Sequence, residues 1–128
     1  MRFLTGDDPR KAEACRRLVQ KAVDGELVLR THALILAEVV WVLESYYKLP
    51  RQEIATKLEM ILNTPNLSVA ESDVFARAVE IYSQSGIDLA DCFVAALAAA
   101  EGSLLLSYDR DFDEIEGLIR REPGETWL

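Results

Sequence analysis

The chain has 128 residues, of which half are hydrophobic and 28% are charged, so its composition is that of one folded domain and excludes a disordered chain. Its net charge of −8 excludes a broad basic surface for nucleic acid, although it leaves room for a local site built around a metal. No apolar run is long enough to span a membrane, and no signal peptide opens the sequence, so we expect a cytoplasmic protein.

Helical and strand-like stretches alternate, which favours an α/β fold with a parallel sheet covered by helices. In chain order, the pattern predicts a helix over 8–23 with Asp8 as N-cap, a strand over 26–31, helices over 33–47 and 51–62, a short strand over 67–70, helices over 71–85 and 88–101, a strand over 103–108, a short helix or turn over 111–118, and an edge strand in the tail that ends near Trp127. Residues 33–47 are apolar almost all round, so this helix is predicted to be buried or to lie at an interface. The continuous apolar run at 103–108 is typical of a strand in a parallel sheet.

Glu38 lies in the apolar run ALILAEVVWVL, with Leu34, Ile35, Trp41 and Val42 three or four positions away. An ionised carboxylate buried among such residues is costly unless something compensates its charge. A partner arginine or a gap open to water would be a structural explanation. A metal ligand or an acid–base group would be a functional one, and the position alone does not decide between them.

Asp91 follows Asp88 by three residues at the start of the predicted helix over 88–101. For this pair taken alone, helix capping by Asp88 and attraction of Asp91 to the positive end of the helix are the favoured explanation. A carboxylate at a helix start can still present an oxygen outward, so a structural and a functional role can coexist.

Asp109 comes just after the apolar strand over 103–108, and ligands of open α/β sheets bind at the carboxyl ends of the strands. Asp111 could join such a site or cap the helix that follows, and turn chemistry would explain both residues. Carboxylates that lie close together raise a pKa or require a cation. Mg²⁺ prefers oxygen ligands, and such a site can activate water for phosphodiester hydrolysis.

The order of four segments, GDDP, LAEVVWVLES, DLADCFVAALA and SYDRDF, resembles the PIN domain family, and within it the VapC group of toxin–antitoxin ribonucleases. The resemblance covers essentially the whole chain as a single domain, residues 1–128. It implies a three-layer α/β/α sandwich around a parallel sheet. It further implies Mg²⁺- or Mn²⁺-dependent endoribonuclease cleavage of structured RNA (tRNA or rRNA), a VapB-like antitoxin as partner, and a homodimer.

Carried over by position, Glu38 matches the family's helix glutamate, and Asp91 matches the aspartate at the start of its later helix. Asp109 matches the aspartate of the family's T/S-x-D-x-D-F segment, and Asp111 matches an accessory acid there. These four acids are the predicted metal ligands, the first three with catalytic roles. Arg110 is a candidate for binding a substrate phosphate.

The sequence departs from the family at its beginning. Family members open with a central hydrophobic strand that ends in Asp-Thr-Asn and supplies a metal ligand, and no Asp-Thr-Asn occurs here. Either the start lies at an internal methionine, which we favour because the other acids are intact, or this is a degenerate member. In both cases we expect unpaired strand edges and a weakened nuclease. The alternative function is a binding module that sequesters an antitoxin without cleaving RNA.

Overall fold

The structure is a computed structural model that describes residues 9–124, apart from the side chain of Ala12. Its elements in chain order are α1 (Pro9–Val23), β1 (Leu29–Thr31), α2 (Ala33–Ser45), α3 (Arg51–Leu62), β2 (Leu67–Val69), α4 (Ser72–Gln84), α5 (Leu89–Glu101), β3 (Leu104–Leu106), a short 3₁₀ helix (Arg110–Glu114) and β4 (Ile119–Arg121). The mixed α/β class with short parallel strands is confirmed. None of the helices in this part of the chain combines the length and the hydropathy needed to cross a bilayer.

The chain forms two compact units, the first up to Ser72 and the second from Asp73 onward. Each unit contains one two-stranded parallel sheet. In the first unit, β1 pairs with β2 with Leu29 opposite Leu67, and α1 and α3 pack against β2. The fully buried side chains of the first unit come mainly from α2 and α3: Leu36, Val40, Leu43, Ile54, Ala55 and Leu58.

In the second unit, β3 pairs with β4 with Leu104 opposite Ile119, and α5 packs against β3. Its core combines large side chains from α4 with small ones from α5, since alanines let a helix approach its neighbours closely. The buried residues include Phe75, Ala78, Val79, Tyr82, Cys92, Ala95 and Ala96. Phe112 and Ile115 bury the apolar side of the 3₁₀ helix in the same unit.

Each strand of these two sheets pairs on one side only, so within residues 9–124 the outer edges of β1 and β3 have no partner strand. In a parallel ladder, alternate residues direct their backbone groups to opposite sides. The Leu29 N–H donates to the Asn66 carbonyl, and the Thr31 carbonyl accepts from Ala70, so Arg30 directs its backbone groups to the other side of β1. On β3, Ser107 donates to Arg121, so Leu104 and Leu106 face the uncovered edge.

The predicted helices agree with the structure to within two residues at each end that it describes. The predicted strands are correctly placed but too long, because an apolar run does not show where hydrogen-bonded pairing stops. The run at 103–108 forms a strand of a parallel sheet, as predicted, although Leu104 and Leu106 are 44% and 49% exposed. The tail strand is present as β4, whereas Asp8, to which a cap was assigned, and Trp127 lie outside the described residues.

Candidate functional site

The second unit brings the start of α5 close to the end of β3, because the chain turns back at once between them. Gly102 ends α5 in a left-handed conformation with φ of +66°, and β3 begins two residues later. The 13-residue helix rises about 20 Å. The extended segment from Ser103 to Asp109 returns about the same distance. Asp109 is therefore carried back to the end of the helix where Asp88 and Asp91 lie.

Asp88 occupies the N-cap position of α5, with extended backbone dihedral angles, but its side chain makes no capping hydrogen bond. Only its backbone carbonyl takes part, as the acceptor for the Cys92 N–H at 2.9 Å. The interpretation of Asp88 as a side-chain cap was therefore wrong. Its exposed carboxylate instead acts on Asp91, whose pKa it helps to raise.

The pKa of Asp91 is raised above its ordinary value by partial removal from water and then by the negative charges of Asp88 and Asp109. This shift shows that three aspartates face a common region, since the interaction of like charges weakens with distance. Asp91 also lies in the first turn of α5, where the helix dipole favours an anion. The dipole alone would lower the pKa of Asp91, so partial removal from water and the neighbouring acids together outweigh it.

Asp109 is the N-cap of the 3₁₀ helix, and one of its carboxylate oxygens is committed to that role. Its Oδ1 accepts the Asp111 N–H at 2.9 Å, while its own N–H donates to Ser107 Oγ at 3.0 Å. The turn interpretation of Asp109 is thus confirmed, and it coexists with the charge interaction with Asp91. The second carboxylate oxygen, Oδ2, makes no hydrogen bond to the described residues.

Asp111 and Arg110 lie in the first turn of the 3₁₀ helix, and both are exposed. Asp111 does not cap this helix, since Asp109 does, and it is not among the groups that shift the pKa of Asp91. The positive charge of Arg110 helps to lower the pKa of Asp113, after the larger effect of Arg120. These observations give Asp111 a more peripheral position than Asp109.

Glu38 belongs to the first unit, and the expectation that it is buried was wrong. Its side chain is exposed and makes no hydrogen bond or ion pair with residues 9–124. The apolar residues around it are exposed as well, including Trp41 at 67% and Leu34 at 66%. The buried side of α2 is the opposite face, which carries Leu36, Val40 and Leu43. An ionised Glu38 therefore bears no desolvation cost that needs a partner.

A comparison with protein-family models matches residues 1–118 to the PIN domain. The chain belongs to the PIN domain family. PIN domains are generally nucleases and usually use divalent metal ions, so membership indicates hydrolysis of nucleic acid. No curated protein and no solved structure matches the chain in the same set of comparisons.

The carboxylates of this PIN domain have the donor chemistry that a hard divalent cation requires, because carboxylate oxygens are preferred ligands of Mg²⁺. The charge interaction of Asp91 with Asp109 is the structural observation that fits such an ion. Across residues 9–124, no group of three or more His, Cys, Asp or Glu side chains is placed closely enough to hold one.

Two features of the second unit were missed in the sequence. Asp88 was interpreted as a helix cap, and only the structure shows that its side chain makes no capping bond. Arg120 was not considered, although its side chain is bound to the segment that carries Asp109. Its hydrogen-bond acceptors Asp113 and Ser107 lie 7 and 13 residues away along the chain, so no helical or strand periodicity indicates these contacts.

Proposed function

We propose that this PIN domain is a Mg²⁺- or Mn²⁺-dependent endoribonuclease and the toxin of a toxin–antitoxin pair. The observation that supports the proposal best is that the charges of Asp88 and Asp109 both act on Asp91 at the joint of α5 and β3. Like charges that lie close together repel, which costs energy unless a cation compensates them. In a PIN domain such acids are accordingly best explained as part of a cation site.

The proposed metal ligands of the second unit are Asp91 and Asp109, with Asp111 as an accessory acid, and the family resemblance assigns a ligand role to Glu38 as well. When bound, the metal would stabilise charge on the scissile phosphate and lower the pKa of water. The raised pKa of Asp91 makes its carboxylate a better proton acceptor than an ordinary aspartate. Asp109 would present Oδ2, since Oδ1 is used by the Asp111 N–H. Arg110, exposed beside Asp109, would bind a substrate phosphate.

The proposed partners are a structured RNA substrate (tRNA or rRNA), a VapB-like antitoxin and a second copy of the chain. The net charge of −8 would concentrate cations near the carboxylates and leave phosphate binding to local arginines. The exposed apolar residues of α2, including Leu34, Ile35 and Trp41, are the kind of surface that protein partners cover.

The test is Mn²⁺ binding measured by calorimetry in the wild-type chain, in Asp91→Asn and in the matched control Asp73→Asn. Asp73 lies in the first turn of α4, as Asp91 does in α5, so both substitutions remove the same helix-dipole interaction. We expect saturable binding in the wild type and in Asp73→Asn, and at least about a tenfold weaker affinity in Asp91→Asn. Equal affinities in the two variants would show that Asp91 serves the helix only.

An RNase assay with Mn²⁺ separates the proposed enzyme from the alternative binding module. It compares this chain with a version extended by a hydrophobic strand that ends in Asp-Thr-Asn, the segment that the family resemblance implies. Cleavage by the extended chain, abolished by Asp91→Asn, would support the nuclease. If neither chain cleaves RNA, the nuclease proposal fails and the binding module is favoured.

A further inference from the structure

Arg120 is the most enclosed cationic side chain in the ion pairs of the second unit, with 11% of its side chain exposed. It lies on β4 opposite Leu105 of β3. A guanidinium removed from water needs hydrogen-bonding partners, because burying it without them is costly. Ser107 and Asp113, in the connection that follows β3, accept hydrogen bonds from it, and a carboxylate oxygen of Glu122 lies 3.7 Å from its Nη1.

The guanidinium of Arg120 holds both ends of the segment 107–113. Its Nη1 donates to the Ser107 carbonyl at 2.9 Å. Its Nε and Nη2 donate to the two carboxylate oxygens of Asp113 at 2.7 and 3.0 Å. Such paired, charge-assisted bonds are among the strongest hydrogen bonds in proteins, and they fix direction as well as distance. The same contact lowers the pKa of Asp113.

Asp109 lies between these two fixed ends, and its own bonds run along the segment. Its N–H donates to the side chain of Ser107, whose carbonyl is bound by Arg120. Its Oδ1 accepts from Asp111, two residues before Asp113. The carboxylate of Asp109 is thus oriented by a segment that a single guanidinium closes. The 3₁₀ helix itself has a separate anchor in the buried side chains of Phe112 and Ile115.

We propose that Arg120 is a positioning residue that holds the Asp109 carboxylate toward Asp91 by clamping the segment 107–113. The inference rests on the proposed function, since it assigns Arg120 to the same carboxylate site. Arg120 acts on this site through Ser107 and Asp113, to which its guanidinium is hydrogen-bonded. In metal sites, residues that orient the ligands commonly change metal affinity by about 10- to 100-fold.

The experiment uses four variants of the full chain. Asp113→Asn weakens the clamp from its exposed end and should preserve the fold. Arg120→Met removes the fork, and Arg120→Lys keeps the charge without the paired geometry. Arg121→Met is the control, because Arg121 is exposed and next to Arg120, and its side chain donates a hydrogen bond to the Arg120 carbonyl rather than to the segment 107–113.

Two readouts are measured in each variant: amide hydrogen exchange and Mn²⁺ affinity by calorimetry. We expect exchange at Asp109 and Asp111 to accelerate in Asp113→Asn and Arg120→Met, while exchange at Ala95, inside α5, stays unchanged. We expect Mn²⁺ affinity to fall about tenfold in both variants, less in Arg120→Lys, and not at all in Arg121→Met.

Unchanged exchange at Asp111, or equal acceleration at Ala95, would overturn the inference, because Arg120 would then have no local effect or only a general stabilising one. The proposed function fails by a different result, namely no Mn²⁺ binding by the wild-type chain. Exchange still decides the role of the clamp in that case, since it is measured without metal.

Discussion

Each sheet consists of two parallel strands of three residues. The two sheets differ in the residues along the outer edges of β1 and β3. The edge of β1 presents the backbone of Arg30, an exposed charged residue. The edge of β3 presents Leu104 and Leu106, which are close to half exposed. Charged residues on an edge discourage pairing with other chains, whereas an apolar edge invites it. The outer edge of β1 is therefore protected against such pairing, and the outer edge of β3 is not.

The ends of the two strands differ as well. After β1, His32 stands at the N-cap of α2 without a capping side-chain bond. After β3, Ser107, Asp109 and Asp113 are joined by hydrogen bonds to one another or to Arg120. Ordered polar networks hold functional groups in place because each member is satisfied by its neighbours. In the second unit the end of β3 is therefore pre-organised, whereas the outer edge of β3 is open to pairing with other chains.

The largest expected effect concerns self-association. Leu106→Lys places a charge on the uncovered edge of β3, and we expect a marked decrease in concentration-dependent association, measured by light scattering. The reciprocal change Arg30→Leu should increase association, because it makes the β1 edge apolar. If Leu106→Lys leaves association unchanged, the contacts between chains form elsewhere. The difference between the β1 and β3 edges then does not determine self-association.

The next effect concerns the joint between α5 and β3. Gly102→Ala places a side chain at φ of +66°, so we expect a loss of about 1–2 kcal/mol in the free energy of unfolding, measured in urea. Gly86→Ala is the matched control, since Gly86 has neither positive φ nor neighbouring atoms within 4 Å of the added carbon. We expect it to be neutral or to stabilise by up to about 1 kcal/mol. Equal losses would show that Gly102 is not strained by a side chain.

The smallest expected effect is on the pH dependence of folding stability, to which a group in each unit contributes with opposite sign. Arg16 and Arg17 hold the pKa of Glu13 at about 2, so this contact stabilises the fold above the ordinary carboxyl pKa and loses its effect as pH falls toward 2. The raised pKa of Asp91 works the other way. The folded state then binds the proton more tightly, so stability decreases as pH rises through the raised pKa.

Melting temperatures measured from pH 3 to pH 7 check both signs. Asp91→Asn should gain stability relative to the wild type as pH rises, once the helix-dipole loss is subtracted with Asp73→Asn. Glu13→Gln should lose stability relative to the wild type over the same rise. Parallel curves for Asp91→Asn and Asp73→Asn would contradict the charge interaction at α5.

Local patterns predicted the elements well, but they predicted side-chain environments less reliably. The bounds of α3 agree with the pattern because Pro50 and a clear amphipathic repeat mark them. The predicted burial of Glu38 was wrong, because apolar neighbours along a helix do not reveal whether those neighbours are themselves buried. The prediction of a single domain stays a prediction, as do the roles of the four acids. The clamp by Arg120 depends on contacts between distant positions, which periodicity does not encode.

The parallel pairing of both sheets also sets an order of events during folding. Leu29 must find Leu67 to form the first sheet, whereas Leu104 needs only Ile119, so the first closes a loop more than twice as long. By loop-closure entropy, this difference is worth about 0.8 kcal/mol. The β3–β4 pair, after whose first strand Asp109 lies, should therefore assemble early, before the β1–β2 sheet of the other unit. On a ribosome the first unit emerges first, so the order of synthesis favours early folding of the first unit, whereas the shorter loop favours the second.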